Sequence, residues 1–242
     1  MRCLQRTMRA PIVDNASMPS PTDWHPVIPA HRLGVADRLV ATRLLGHDLV
    51  AWRSPDGVAR VWHDRCPHRG VRLSLGRILG ARLSCAYHGW EFAADSGRCE
   101  VIPALADMAR VPGQTHARVC TTAEARAMVW VRLAAGTHEP AGPVPAVLPP
   151  GTAPGIFLRS LAIDAGVGAV HLRLRARGLQ SDGPAAWLGT LAQQTVRLFL
   201  QQAQADLVVV HAWACGPPVE AAGAALFSAL RRLRSDAESA GG

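Results

Sequence analysis

Asp64-Arg65-Cys66-Pro67-His68-Arg69-Gly70 and Cys85-Ala86-Tyr87-His88-Gly89-Trp90 are the two stretches on which the reading of this chain turns. Each offers one thiol and one imidazole close together, as Cys-x-His and then Cys-x2-His. Residues 69–84 separate the first histidine from the second cysteine. Two tight loops with this spacing can each present a thiolate and an imidazole to a shared point. A zinc ion could take all four as a Cys2His2 site.

A second occupant fits the same spacing. A [2Fe–2S] cluster could take Cys66 and Cys85 on one iron and His68 and His88 on the other, the Rieske arrangement. The neighbours favour it. Gly70 and Gly89 directly follow or closely follow the histidines and let backbone approach a cluster, where N–H groups can point at sulfur. Zinc-finger spacing pairs Cys with Cys and His with His, which is not the pattern here.

Working outward, short apolar runs (Arg38–Val40, His47–Arg53, Val58–Trp62, Arg82–Cys85, Trp90–Phe92, Met128–Leu133) alternate with turn signals such as Pro55-Asp56-Gly57, Gly70, Gly80, Asp95-Ser96-Gly97 and Pro112-Gly113. That texture predicts an antiparallel β domain over 23–135. Residues 1–22 read as a polar, flexible arm in which Met18 could be the true start. Residues 136–155, rich in Pro and Gly, read as an extended linker. In 156–242 the pattern predicts a strand pair, Ile156–Ile163 and Ala169–Arg175, with a turn at Gly166-Val167-Gly168. A helix over 185–213 follows, with Leu188, Leu191, Ala192, Thr195, Leu198, Phe199 and Gln202 on one face. A last helix runs from about Pro218 to Ser235, with Val219, Ala222, Leu226, Ala229, Leu230 and Leu233 on its apolar side. The fold class expected is α+β.

Composition narrows the partners. The 242 residues carry a formal charge of +8, but every one of the 26 basic residues is Arg, and Asn15 and Tyr87 are the sole Asn and Tyr. Joint loss of residues with AT-rich codons indicates compositional drift rather than a selected nucleic-acid surface, and the arginines are scattered. No apolar run reaches bilayer length. No continuous apolar h-region follows Arg2, Arg6 and Arg9, so a cytoplasmic location is expected, and with it metal or redox roles for cysteines rather than disulfides.

The run from Trp24 to about Leu133 resembles the Rieske domain of Rieske-type non-haem iron oxygenases. CPHRG, CAYHGWEF, the following Gly97-Arg98-Cys99 and the pair Ile102-Pro103 carry the resemblance. It implies an antiparallel β domain with the cluster at the tip of two loops, held by Cys66, His68, Cys85 and His88. Val71 and Tyr87 stand where the respiratory-chain type has extra cysteines, which favours the oxygenase type. An imidazole on oxidised iron can lose its outer proton, so the potential should fall as pH rises. Arg65 and Arg69 are candidates for docking an acidic electron donor.

Full members of that family add a helix-grip catalytic domain with an Asp-x2-His-x4-His pattern and a later carboxylate around one Fe(II). After residue 134 the histidines are His138, His171 and His211, and none forms a His-x4-His pair. Ala205-Asp206-Leu207-Val208-Val209-Val210 resembles the Glu-Asp-x-Val-Val-Val segment of vanillate O-demethylase-like and dicamba monooxygenase-like members, in which the Asp is the ligand. Ala224–Arg234 resembles their last helix, and His171 a non-ligand His on a core strand. The expectation is a complete Rieske domain followed by a curtailed catalytic-domain remnant with no mononuclear Fe(II) triad of its own. Asp206 and His211, five apart on the presumed helix, point to different faces and make a rebuilt triad with His171 a poor prospect. Cys99, Cys120 and Cys215 are expected as buried thiols. The function implied is an oxidoreductase taking electrons from a reductase or ferredoxin and acting in O2-dependent oxidation of a small aromatic compound, as a homo-trimer or beside a partner oxygenase subunit. The alternative is a free-standing Rieske ferredoxin-like carrier.

Overall fold

The computed structural model describes residues 20, 23–34, 38–105, 115–133, 155–183, 185–216 and 222–239. The arm expected over 1–22 (Ser20 aside), the turn at Pro112-Gly113, the linker expected over 136–155 (Gly155 aside), His138 and Pro218 lie outside the described residues. In chain order the strands are β1 (His25–Pro29), β2 (Val40–Leu44), β3 (His47–Arg53), β4 (Ala59–His63), β5 (Arg77–Leu79), β6 (Arg82–Ser84), β7 (Glu91–Ala93), β8 (Cys99–Val101), β9 (Thr121–Ala125), β10 (Met128–Arg132) and β11 (Ile156–Ile163). Helix α1 (Val167–Ala176) follows, then β12 (Gln180–Ser181), β13 (Ala186–Leu191), β14 (Gln194–Gln204), β15 (Leu207–Ala214) and helix α2 (Ala222–Glu238).

The first ten strands make three small antiparallel sheets, β1-β10-β9, β2-β3-β4 and β5-β6-β7-β8. Two apolar cores knit them. One gathers Trp52, Trp62, Leu73, Leu83 and Phe92 beneath the cysteine loops. The other gathers Val27, Leu44, Leu49, Val61 and Val129. His47–Arg53 and Ile156–Ile163 are strands over the spans expected; those expected at Val58–Trp62, Arg82–Cys85, Trp90–Phe92 and Met128–Leu133 are offset by one residue at one or both ends, whereas the run Arg38–Val40 shares only Val40 with β2.

The C-terminal region differs from expectation in three ways. Residues 185–213 are not a helix but the strands β13, β14 and β15 of a five-stranded antiparallel sheet, order β11-β15-β14-β13-β12. The cause is burial on both faces. Val196, Leu198, Leu200, Val208, Val210 and Ala212 face the helices, while Phe199 and Trp213 pack against Trp24, Met128 and Trp130 of the first half. Strands buried on both sides lose the polar alternation that would reveal period two. Second, Ala169–Arg175 is not a strand but lies within α1. Val167, Val170 and Leu174 recur at helical spacing and are buried. Gly178, at φ +76°, ends it, with Leu179 N–H donating to Leu174 C=O at 3.1 Å. His171 is therefore on a helix, against Trp187. Third, the last helix runs to Glu238 and buries Leu226, Ala229, Leu230, Leu233 and Ala237, close to the face expected.

The halves are tied directly. Leu45 and Gly46 N–H donate to the carbonyls of Gln202 and Ala203, each at 2.8 Å. Asp182 receives both Arg126 (3.0 Å) and Arg197 (2.7 Å) in a largely buried ion triad. Among the described residues no helix is long and apolar enough to cross a membrane.

Candidate iron–sulfur site

Both sequence loops share one backbone frame. In the first, Cys66 N–H donates to Val71 C=O (2.8 Å) and Gly70 N–H to Cys66 C=O (2.9 Å). In the second, Cys85 N–H donates to Trp90 C=O (2.8 Å) and Gly89 N–H to Cys85 C=O (3.1 Å). Cysteine opens each turn and glycine closes it at φ +73° and +69°, a region costly for any side chain. At Gly89 a Cβ would also sit 3.0 Å from Pro103 Cγ. The first loop is anchored by Asp64. Its buried carboxylate accepts from Ser74 N–H (2.7 Å) and Ser74 Oγ (2.6 Å), and its own N–H donates to Asp48 C=O (2.9 Å). Sequence reasoning gave Asp64 no role, although its place two residues before Cys66 marks it as a loop base. The Arg65 guanidinium lies across Gly70, 3.2 Å from where a Cβ would stand.

The frame sorts the four side chains into two pairs. Cys66 and Cys85 are buried, joined by no disulfide and in contact with one another. Burial pushes the Cys66 thiol up to about 11, and the nearby Cys85 adds to this. Backbone N–H groups of His68 and Arg69 point at the Cys66 sulfur and work the other way, favouring thiolate. His68 and His88 lie outward, half-buried and exposed, with their Nδ1 atoms 3.2 Å apart. Desolvation, then the neighbouring His88 and Arg69, hold His68 below the usual imidazole value. The His68 ring stacks on Trp90, 4.3 Å between centroids and 5° from parallel, and Tyr87 covers His88 at 3.9 Å.

This donor set fits a two-iron cluster. Two metal–nitrogen bonds of about 2.1 Å at ordinary angles place their nitrogens roughly 3.0–3.4 Å apart, which brackets the observed 3.2 Å. The thiols form a separate pair with N–H donors aimed at sulfur. Among the described residues no group of three or more His, Cys, Asp or Glu converges as on a single ion.

The family model for the Rieske [2Fe–2S] domain matches residues 23–112. Those residues are a Rieske [2Fe–2S] domain. A Rieske cluster is therefore its implied cofactor. Oxidoreductase NdmD of Pseudomonas putida is 37% identical over 119 residues, 48% of this chain and 20% of that protein. The 3-chlorobenzoate-3,4-dioxygenase oxygenase subunit of Comamonas testosteroni is 35% identical over 116 residues, 48% of this chain and 26% of that one. The chain thus spans about a fifth to a quarter of the length of these relatives. In fold it is similar to Pseudomonas putida CBB5 NdmA, solved as the QL mutant with theobromine. The TM-score is 0.68 at 18% identity, over 89% of this chain and 80% of that one. Apo dicamba monooxygenase gives a TM-score of 0.63 at 17% identity, over 91% and 86%. Relatives of this Rieske domain thus include oxygenase subunits.

The remaining sequence candidates are placed elsewhere. Asp206 is not on a helix but exposed in the β14–β15 turn. His211, on β15, is buried with both ring nitrogens engaged, by Ser160 Oγ at 2.8 Å and Gln201 Oε1 at 2.9 Å. His171 packs on Trp187. The structure does not bring these three together. Cys99 and Cys120 are buried thiols, and Cys215 is half-buried near Arg197.

Proposed function

We propose that this chain is a Rieske oxidoreductase of the ring-hydroxylating and demethylating oxygenase family, with Cys66 and Cys85 holding one iron and His68 and His88 the other. The observation that carries the reading is the two-loop frame with its thiols buried beneath and its imidazoles outward. When bound, the cluster supplies one-electron chemistry at a potential raised by imidazole ligation, roughly −150 to +300 mV against about −400 mV for all-thiolate ferredoxins. The protein's part is to exclude water from Cys66 and Cys85, aim N–H donors at sulfur, and keep the outer Nε2 of His68 and His88 within reach of a partner and of solvent. Arg65 and Arg69 flank that surface and suit an acidic reductase or ferredoxin. Electrons would serve O2-dependent oxidation of a small aromatic substrate, the class named for the chlorobenzoate dioxygenase relative. Residues 156–242 are, on this reading, a remnant of a helix-grip catalytic domain.

A second reading, a carrier without its own mononuclear iron, is favoured by specific observations. The helix-bearing face of the five-stranded sheet is filled by Trp187, Leu198, Leu200, Leu226, Leu230 and Leu233. His211 is spent on internal hydrogen bonds, and Asp206 points from an exposed turn.

Iron and sulfide measured per chain in anaerobically purified protein separate the two. Two irons to two sulfides support the carrier, and three irons to two sulfides the complete oxygenase. The reduced protein should give a Rieske-type electron paramagnetic resonance spectrum. His68→Cys should lower the potential by roughly 200 mV or more. An unchanged potential would remove His68 from the ligand set and the proposal with it.

A further inference from the structure

Where the first half meets the five-stranded sheet there is a cleft of about 400 Å³, walled by β1 and β2 on one side and β11, β14 and β15 on the other. Its floor is a built polar chain. Gln201 Nε2 donates to Thr42 Oγ1 (2.8 Å) and to Arg43 C=O (2.7 Å). With its nitrogen so committed, the Gln201 oxygen accepts, and the His211 proton must sit on Nε2. Nδ1 then accepts from Ser160, whose hydroxyl hydrogen is turned inward. Burial, followed by the charge of Arg32, pushes His211 down to about 3. The ring is thus a fixed neutral strut and not a general base, so the cleft is suited to binding rather than to acid–base chemistry.

The lining says what would bind. The walls are aliphatic: Val27, Ile28, Val40, Leu207 and Val209 contribute, and no Phe, Tyr or Trp lines the space among the described residues. The one aromatic ring among the described lining residues, His211, is held in the floor by hydrogen bonds at both nitrogens. The cation is Arg32, exposed at the rim and paired with no carboxylate among the described residues. The other lining arginine, Arg43, is occupied by Asp48 at 2.6 Å. The volume lies within the range of small-molecule sites.

The geometry points to a binding site for a small aliphatic carboxylate, its charged group on Arg32 and its chain along the Val and Leu walls. Val27 and Val40 come from the first half and Leu207 and Val209 from the sheet, so an occupant bridges both. This inference is independent of the iron count.

Octanoate titrated calorimetrically into the cluster-loaded full chain tests it, with octylamine and benzoate as companions. Octanoate should bind, octylamine should not, and benzoate should bind more weakly. Arg32→Gln removes an exposed side chain and should leave the fold intact by circular dichroism, while weakening octanoate by about tenfold or more. Arg32→Lys should recover part of the loss, and Leu207→Glu should weaken binding through charge repulsion at the wall. The inference is overturned if octanoate shows no heat at millimolar concentration, if Arg32→Gln and Leu207→Glu leave its affinity unchanged, if octylamine binds equally well, or if benzoate binds more tightly.

Discussion

Gly76 packs directly against the backbone that leads into the second cysteine loop. It closes the short turn Leu73–Leu75 and enters β5, where Arg77 pairs with Ser84, the residue before Cys85. A Cβ built at Gly76 would stand 2.1 Å from Ser84 O, 3.0 Å from Leu73 O and 3.2 Å from Ser84 C. Ordinary contact starts at 3.4 Å. The obstacle is backbone, so no rotamer change relieves it, and Gly76→Ala must move the Ser84 carbonyl by about 1 Å. Overpacking of this kind costs about 1–3 kcal/mol, and a weakened β5–β6 hydrogen bond adds about 1 kcal/mol. A total of about 3 kcal/mol raises local opening of the loop by about a hundredfold. Gly80, in the turn of the same hairpin, is the control. Its φ is +57°, but a Cβ there meets nothing within 4 Å. Gly80→Ala should therefore cost about 1 kcal/mol or less, the left-handed penalty partly offset by a stiffer unfolded chain. The assay is the rate of cluster bleaching in fixed urea, together with iron and sulfide per chain. Gly76→Ala should bleach far faster and purify with less cluster, while Gly80→Ala stays near wild type. Equal rates for the two variants would refute the argument.

Three other outcomes are expected. Gln193, exposed at φ +65° in the β13–β14 turn, should give a protein about 0.5–1 kcal/mol more stable when replaced by Gly, read by urea midpoint; a lower midpoint would contradict the turn assignment. Asp64→Ala strips two acceptors from Ser74 and should destabilise by about 2 kcal/mol while accelerating cluster loss, and Asp64→Asn should recover part of both. His211 is held neutral at about 3 in the fold against 6.5 in the unfolded chain, so the unfolded state takes up a proton first as pH falls. Stability is fully present above 6.5 and is lost below it, by about 3 kcal/mol at about pH 4. His211→Gln should flatten that slope by one proton, and an unchanged slope would count against burial as its cause.

What was readable in the sequence was what local chemistry writes there. The cysteine loops carry their own punctuation: a cysteine at the start, a glycine where φ must be positive, an apolar residue to re-enter the sheet. The C-terminal sheet carries almost none. Its β13–β14 hairpin turns at Ala192-Gln193, φ +47° and +65°, as the β9–β10 hairpin of the first half does at Arg126-Ala127, φ +52° and +60°. Such turns ordinarily advertise themselves as Asn-Gly or Gly-Gly, but this chain has one Asn in all. With the turn unmarked and β14 buried on both faces, Leu188, Leu191, Leu198 and Phe199 could be laid on a helical wheel as easily as on two strands. The error at α1 ran the other way. Gly166-Val167-Gly168 looks like a hairpin turn, yet Gly166 precedes the helix and the buried Val167, Val170 and Leu174 set its period.

The same backbone frame with different spacing explains why the two loops deliver unlike partners to one place. Each runs from a cysteine to a glycine four residues on and then back into the sheet, so the cysteines occupy equivalent positions at the base, in the apolar core with Phe92 and Leu83. Histidine stands third in one loop and fourth in the other. Had both been third, or both fourth, two equivalent turns would carry their rings in equivalent directions. The one-residue offset lets the rings lean across the gap until Nδ1 faces Nδ1 at 3.2 Å. Proline at the second position of the first loop fixes φ where the shorter Cys-to-His step leaves least slack, while Ala86 and Tyr87 fill the longer one. Stacking of His68 on Trp90, a residue of the opposite loop, then sets the ring plane from across the site. The burial gradient from thiol to imidazole follows the frame, since the base of each turn starts in the apolar core and its tip stands clear of it.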